Sequence, residues 1–472
     1  MSRILVVNSN RSSITYSWSL DYARQKREQG HDVFFMDAAK LSGYYLLNKF
    51  RWSLDILSHK NSFPVFAKSF CKCEQIKYMR FTNSKNKVRN VVTEDLLELN
   101  DVLRSQFALW YGSQNIKIEE IPRKMLQSEI RSYKSSRLAL LNIIDKLDVE
   151  KLVTINGRFT IEKAVFDLGK ELNLPVSFLE SLSENPEKYE EFDISPHSIV
   201  EANQKILSQW QNDNHLNPEI TKAIAITHME ERTSPNWKWK NPGPMSVNIS
   251  DPYIAFFPTS DFEFSILNIE ENLKPKLTQF EVVASLSKIA KGQGLRVVVR
   301  GHPQPKEKHV GQVEDEIWST FCSNNGVEFI SSFDSCDSLE LAKNAYRNVV
   351  YYSSIAAEIA YLGYPVIATA PSIYKDSIPS ITMETFDELE VFIKKVPNRI
   401  PKDSVYPWAY YMKNGGISNK TFEVEGLYEI YFNSKRIDEV RSSIAAVRKS
   451  ISFLSKRTSL LNFVKNRVES RQ

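Results

Sequence analysis

Glycine is scarce, at 15 of 472 residues, and no Gly-x-Gly-x-x-Gly follows the first apolar segment; Asn8-Ser9-Asn10-Arg11-Ser12-Ser13 stands there instead. That argues against a dinucleotide site, whose glycines let the backbone approach a pyrophosphate. The four cysteines, Cys71, Cys73, Cys322 and Cys336, form no Cys-x-x-Cys pair and have no histidine nearby. Neither a zinc site nor a disulfide framework is indicated, and reduced thiols in a cytoplasmic protein are the expectation. No apolar run approaches the roughly 18 to 20 residues of a spanning helix. The opening Met1 to Asn8 turns polar too soon for a signal peptide and reads as a first strand. There is no Asp-x-Asp pair flanked by strands, so no metal is expected, and no repeat or low-complexity run.

A one-signed charge is also missing from most of the chain. The formal net charge is +4, but from Lys435 to Gln472 ten Lys/Arg face three acidic residues, a net of +7. The first 434 residues then carry 51 basic against 54 acidic, a net of −3, which gives no nucleic-acid signal.

What is present is an α/β rhythm with 42% hydrophobic residues. Arg3 to Asn8, a helix from Tyr16 to Glu28 ended by Gly30, and Asp32 to Met36 make a strand-helix-strand opening. Residues from about 41 to 148 are mostly helical in pattern, aromatic and basic, and read as an insertion. The rhythm resumes at Lys151 to Arg158 and Pro175 to Glu180. A proline-rich stretch from Arg232 to Asp251, with Trp237 and Trp239, reads as the connector to a second half that runs from Tyr253 to near Val396. The expected organisation is a first lobe over 1–240, a second over 241–400, and C-terminal helices over 401–472.

Two strands of the second half end in polar clusters, Arg300-Gly301-His302-Pro303 and Tyr352-Ser353-Ser354. The second runs into a short helical segment, Ile355 to Leu362, closed by Gly363. In an open parallel sheet both clusters fall on the ligand-binding rim. An arginine, a histidine, two hydroxyls and a helix start suit a phosphate-bearing ligand, and a sugar nucleotide is the first expectation. Arg300 can fork onto phosphate oxygens or act as a structural ion-pair partner. One of Ser353 and Ser354 is expected to cap the helix, a role compatible with phosphate contact. Glu358 suits a ribose diol or a solvated helix start. Tyr374 suits a cover over the base or sugar, or a packed loop.

These segments resemble a family. Ile155-Asn156-Gly157-Arg158 with Glu180, Phe257 to Phe264, Arg300-Gly301-His302-Pro303, Tyr352-Ser353-Ser354 to Glu358, Pro365-Val366-Ile367 with Tyr374, and Trp408 to Tyr411 with Gly416 occur in the order seen in bacterial surface-polysaccharide glycosyltransferases of capsule and O-antigen type. The resemblance covers roughly Lys151 to Lys420. It implies a GT-B fold, two doubly wound Rossmann-like lobes facing a cleft, with C-terminal helices. By similarity to the His-Pro sialyl- and Kdo-transferases, His302, Ser353 and Ser354 would hold the nucleotide phosphate of a CMP-sugar such as CMP-Kdo, or of a UDP-sugar. The acceptor would be an oligosaccharide or lipid-linked glycan of a capsule, O-antigen or lipopolysaccharide.

An acceptor hydroxyl must lose its proton, so a base is needed. Glu180 leads, with Asp261 and Glu263 behind it, although this chain has Glu180-Ser181-Leu182-Ser183 where those enzymes often have two acids before a glycine. Asn156 and Arg158 are candidates to hold the acceptor, or a turn. From Ile437 to Val468 apolar residues recur at three-four spacing among lysines and arginines. That pattern fits a helix at 435–472 lying on an anionic membrane, at the inner face of the cytoplasmic membrane, or one packing across both lobes. A polyol-phosphate transferase and a non-catalytic glycan-binding assembly protein are the alternative functions.

Overall fold

The structure, a computed structural model, describes residues 1–9, 13–38, 63–80, 123–157, 159–194, 198–234, 237, 251–260, 275, 277–302, 311–381, 383, 386–395, 400–425 and 429–437. Strand β1 (Arg3–Asn8) buries Ile4, Leu5, Val6 and Val7 in succession, as a strand covered on both faces of a parallel sheet does. Helix α1 (Ser13–Glu28) carries Lys26 and Arg27 in its last turn, complementing the helix dipole, and returns the chain to β2 (Asp32–Asp37), parallel to β1. Helix α2 (Phe63–Cys73) leads to β3 (Lys77–Arg80), which pairs with β2 in parallel. The helical insertion expected over about 41–148 is therefore partly sheet; four residues are too few for a strand's period-2 pattern to stand out.

Helix α3 (Arg123–Leu147) packs on α4 (Thr160–Glu171), and between them in sequence β4 (Lys151–Ile155) pairs with the other side of β1. Strand β5 (Val176–Glu180) continues in parallel, and β6 (Lys188–Phe192) closes antiparallel. Helix α5 (Ile199–Leu216) is N-capped by the Ser198 hydroxyl, and α6 (Pro218–Thr233) starts on a proline and carries Arg232 in its last turn.

The second sheet begins at β7 (Tyr253–Phe257), buried along its whole length. Helix α7 (Gln279–Lys291), started by a Thr278/Glu281 capping box, leads to β8 (Arg296–Arg300). Then follow α8 (Gly311–Asn325), β9 (Glu328–Ile330), α9 (Ser338–Asn344), β10 (Arg347–Val350), α10 (Ile355–Tyr361), β11 (Val366–Ala368) and α11 (Phe386–Lys394). The strand orders are β12-β6-β5-β4-β1-β2-β3, with β12 the late strand Ile417–Ser418, and β11-β10-β7-β8-β9, so each lobe starts at a central strand and winds outward both ways. The points where strand order reverses, between β1 and β4 and between β7 and β10, are where such sheets open a crevice.

Helix α12 (Tyr406–Asn414) packs on α5 and α6, and the chain then re-enters the first lobe. Strand β12 (Ile417–Ser418) pairs antiparallel with β6, Ile417 opposite Tyr189. Strands β13 (Glu423–Glu425), β14 (Glu429–Phe432) and β15 (Lys435–Arg436) make a small antiparallel sheet whose Phe422, Val424 and Ile430 join the first-lobe core. Of the C-terminal helices expected over 401–472, α12 is present, while 417–436 carries short strands instead. The strands are short and turn at Asn433 and Ser434, which take positive φ. The amphipathic pattern beyond Ile437 lies outside the described residues, among which no helix is long and apolar enough to cross a membrane.

The re-entry point is tightly built. Gly416 has φ +96°, and a Cβ there would meet Glu190 Oε1 at 2.7 Å. The Tyr411 hydroxyl donates to Glu190, which is 4% exposed on β6. Burial pushes the Glu190 carboxyl up to about 7, against the lowering effect of Tyr411. A raised folded value favours the neutral acid, so this contribution to stability is complete below about pH 4.5 and is lost as pH climbs to about 7. Glu190→Gln should remove that loss. Urea unfolding from pH 4.5 to 7.5 should show wild type falling relative to the variant by about 3 kcal/mol, at roughly 1.4 kcal/mol per unit. A difference independent of pH would count against a titrating Glu190.

Candidate functional site

The carboxyl ends of β7, β8 and β10 meet in a cavity of about 210 Å³, bounded by Phe257 and Pro258, by Gly301 and His302, and by Ser353 to Ile355. Asp337 and Ser338 close one side, while Glu184, from the β5–β6 loop, and Arg232 and Trp237 reach it from the first half of the chain. This is the switch point of the second sheet, so topology alone opens it.

The Arg300-Gly301-His302 turn has a steric reason. A Cβ at Gly301 would sit 2.7 Å from Ser332 N and 3.3 Å from the Ile330 carbonyl, so glycine lets β8 end against the 331–332 backbone. Arg300 is 2% exposed and lines the cavity, with its two terminal guanidinium nitrogens held by loop carbonyls. Nη1 donates to the Ser331 carbonyl, and Nη2 to the carbonyls of Asp334 and Cys336, each at 3.3 Å. It braces the loop that delivers Asp337 and Ser338, and burial pushes its pKa down. His302 is half-buried and lines the cavity. Pro303 lies outside the described residues.

Both serines line the cavity. Ser354 is the residue before α10, yet its backbone is helical and its hydroxyl makes no cap bond; it pairs instead with Arg232 Nη2 at 3.0 Å. The capping role expected of one serine is thus not taken by Ser354, because a residue already in helical conformation cannot turn its side chain back over the first turn. Tyr374 is 1% exposed and stands behind the serines: its hydroxyl donates to the Ser353 carbonyl at 3.0 Å, and its ring meets Trp408 edge-on. Of the two roles expected of it, a cover over the base or sugar and a packed loop tyrosine, its burial matches the second.

Arg232 is the residue that sequence reading missed. Its Nη1 donates to Glu184 Oε1, its Nη2 and Nε to Glu358 Oε1 at 2.5 and 3.1 Å, and its guanidinium lies 5.1 Å from the Trp408 ring centroid and 5.5 Å from that of Trp237. Glu358, 7% exposed, is therefore an ion-pair partner rather than the solvated helix-start glutamate. The partners lie 48, 122 and 126 residues from Arg232, so no local pattern announces them.

On the first-lobe rim, Asn156 takes φ +62° and donates from Nδ2 to Glu180 Oε2, while Ser181 N donates to the same carboxylate at 3.1 Å. The structure brings Asn156 and Glu180 together, but neither lines the cavity. Arg158, Asp261 and Glu263 lie outside the described residues.

The sheet orders and the cleft-side cavity define a two-lobed α/β protein of the GT-B kind. No protein-family model matches the chain, and no curated protein matches it in sequence. Among solved structures, UDP-GlcNAc 2-epimerase of Methanocaldococcus jannaschii, in complex with UDP-GlcNAc and UDP, is 11% identical, with 86% of this chain and 98% of that one covered at a TM-score of 0.26. The β Kdo 2,7 transferase KpsC of Thermosulfurimonas dismutans is 14% identical over 60% and 86%, at a TM-score of 0.36. The Neisseria meningitidis UDP-GlcNAc 2-epimerase bound to UDP-GlcNAc is 12% identical over 89% and 97%, at 0.26. Likenesses at these scores carry no argument about activity.

Arg232→Met would strand two carboxylates at one buried point. Removing one partner of a buried ion pair costs about 3–5 kcal/mol, and chemical denaturation should show a loss of that size. In the double variant with Glu358→Gln much of the loss should return, giving a coupling energy; additive single effects would mean that the two side chains act independently.

Proposed function

We propose that the protein is a glycosyltransferase that moves a sugar from a nucleotide-sugar donor to a glycan acceptor of a growing surface polysaccharide. The observation that carries the reading is the cavity at the switch point of the second sheet, where His302, Ser353 and Ser354 converge. The order of motifs from Asn156 to Gly416 supports it and favours a CMP-sugar such as CMP-Kdo, with a UDP-sugar as the second choice.

In that reaction an acceptor hydroxyl attacks the anomeric carbon, and the bond from that carbon to the phosphate oxygen breaks with its electron pair. Charge builds on the leaving phosphate, and preorganised donors aimed at it are worth more in a dry cleft than in water. His302 and the Ser353 hydroxyl take that role, with no metal invoked. Arg300 contributes by bracing the 331–336 loop, and Tyr374 by holding the Ser353 carbonyl. Asn156 and Arg158 are assigned to the acceptor side, an oligosaccharide or lipid-linked glycan, and the basic tail of 435–472 to an anionic membrane surface.

Thermal unfolding with CMP, UDP, GDP and their sugar conjugates tests the donor site. One nucleotide, at 100 times its Kd, should add about 2.7 kcal/mol to wild type and lose most of that effect in His302→Ala. If none of them stabilises the wild type, the transferase reading fails and a glycan-binding scaffold takes its place.

A further inference from the structure

We propose that Glu184 is the carboxylate that takes the proton from the acceptor hydroxyl, with Arg232 as its positioning residue; the assignment rests on the glycosyl-transfer reading above. Among the described residues that bound the cavity, Glu184 is the carboxylate that comes from the first-lobe sheet connection, whereas His302 and Ser353 follow strands of the second sheet. Its backbone is pinned, since Glu184 N donates to the Met412 carbonyl at 2.9 Å and the Ser181 hydroxyl donates to the Ser183 carbonyl at 2.8 Å. Its Oε1 receives Arg232 Nη1. Its Oε2 is buried and makes no hydrogen bond. A buried acceptor left unmatched is uncommon in a folded protein, and a ligand hydroxyl is a partner that would satisfy it.

The other carboxylates at the cleft have other work. Glu358, from the second lobe, receives two nitrogens of Arg232 on its Oε1. Asp337 caps α9, accepting Leu339 N at 2.8 Å. Glu180 is joined to Asn156 and to Ser181 N away from the cavity. With Glu184 as base the step balances. The acceptor O–H proton passes to Glu184 Oε2 and the oxygen bonds the anomeric carbon. The carbon to phosphate-oxygen bond breaks, and its electron pair leaves on the nucleotide phosphate beside His302.

The test uses the full chain, the nucleotide sugar that stabilises the wild type, and water as acceptor, reading nucleotide release. Glu184→Gln keeps an oxygen for Arg232 but cannot take a proton. It should retain nucleotide stabilisation while turnover falls by roughly 10²–10⁴-fold, and added formate should restore part of the turnover in Glu184→Ala. Arg232→Lys cannot offer the fork that reaches both carboxylates, so it should lower kcat and leave the donor KM within a few fold. Near-wild-type turnover in Glu184→Gln, or loss of nucleotide stabilisation in it, overturns the assignment while the donor site stands. Failure of wild type to bind or turn over any donor overturns the transfer reading itself, and the assignment with it.

Discussion

A guanidinium buried to within a few per cent of full exclusion is costly unless its charge is met on several sides, and Arg232 meets it with two carboxylates, a hydroxyl and two aromatic rings. Glu184 comes from the first-lobe sheet connection, Glu358 from the second-lobe helix α10 and Ser354 from the residue before it, and the rings of Trp237 and Trp408 cover its flanks. An arginine suits the position because its flat fork reaches two carboxylates while its faces accept aromatic rings. The cavity exists at the place where these elements are drawn together. Its floor belongs to the second sheet and one wall to the first half of the chain, so the spacing of the halves and the shape of the site are one constraint.

Around that constraint most polar side chains serve geometry. Arg300 holds a loop by its carbonyls, Tyr374 fixes the serine backbone, and Gly301 lets two backbones approach. His302 and Ser353 line the cavity. The return of the chain through α12 and β12 ties the second half to β6, and Met412 at the end of α12 anchors the Glu184 backbone. The same crossing thus joins the lobes and places the first-lobe carboxylate at the cleft.

Much of the layout was legible along the chain. Continuous apolar runs such as Ile4 to Val7 and Tyr253 to Phe257 mark central parallel strands, and the polar clusters at 300–302 and 353–354 lie on the rim because strands of this kind end there. Less was legible where the signal is short or shared. Strand β3 has four residues, and the strands after 417 have two to four, too few for a period to separate from helix. Whether Tyr374 faces a ligand or packs in its loop was not legible, since residue type and place in a motif do not tell which way a side chain turns.

Sequence alone determined the class of fold, the two halves and the location of the second-lobe rim, because apolar periodicity and strand ends are local properties. Tertiary structure decided which side chains face the cavity, the return of the C-terminal segment to β6, and the meeting of Arg232 with Glu184 and Glu358. Those outcomes depend on contacts between residues far apart in the chain, from 48 positions for Arg232 with Glu184 to 228 for Ile417 with Tyr189 (417 − 189), and no pattern in a stretch of chain encodes a partner at that distance.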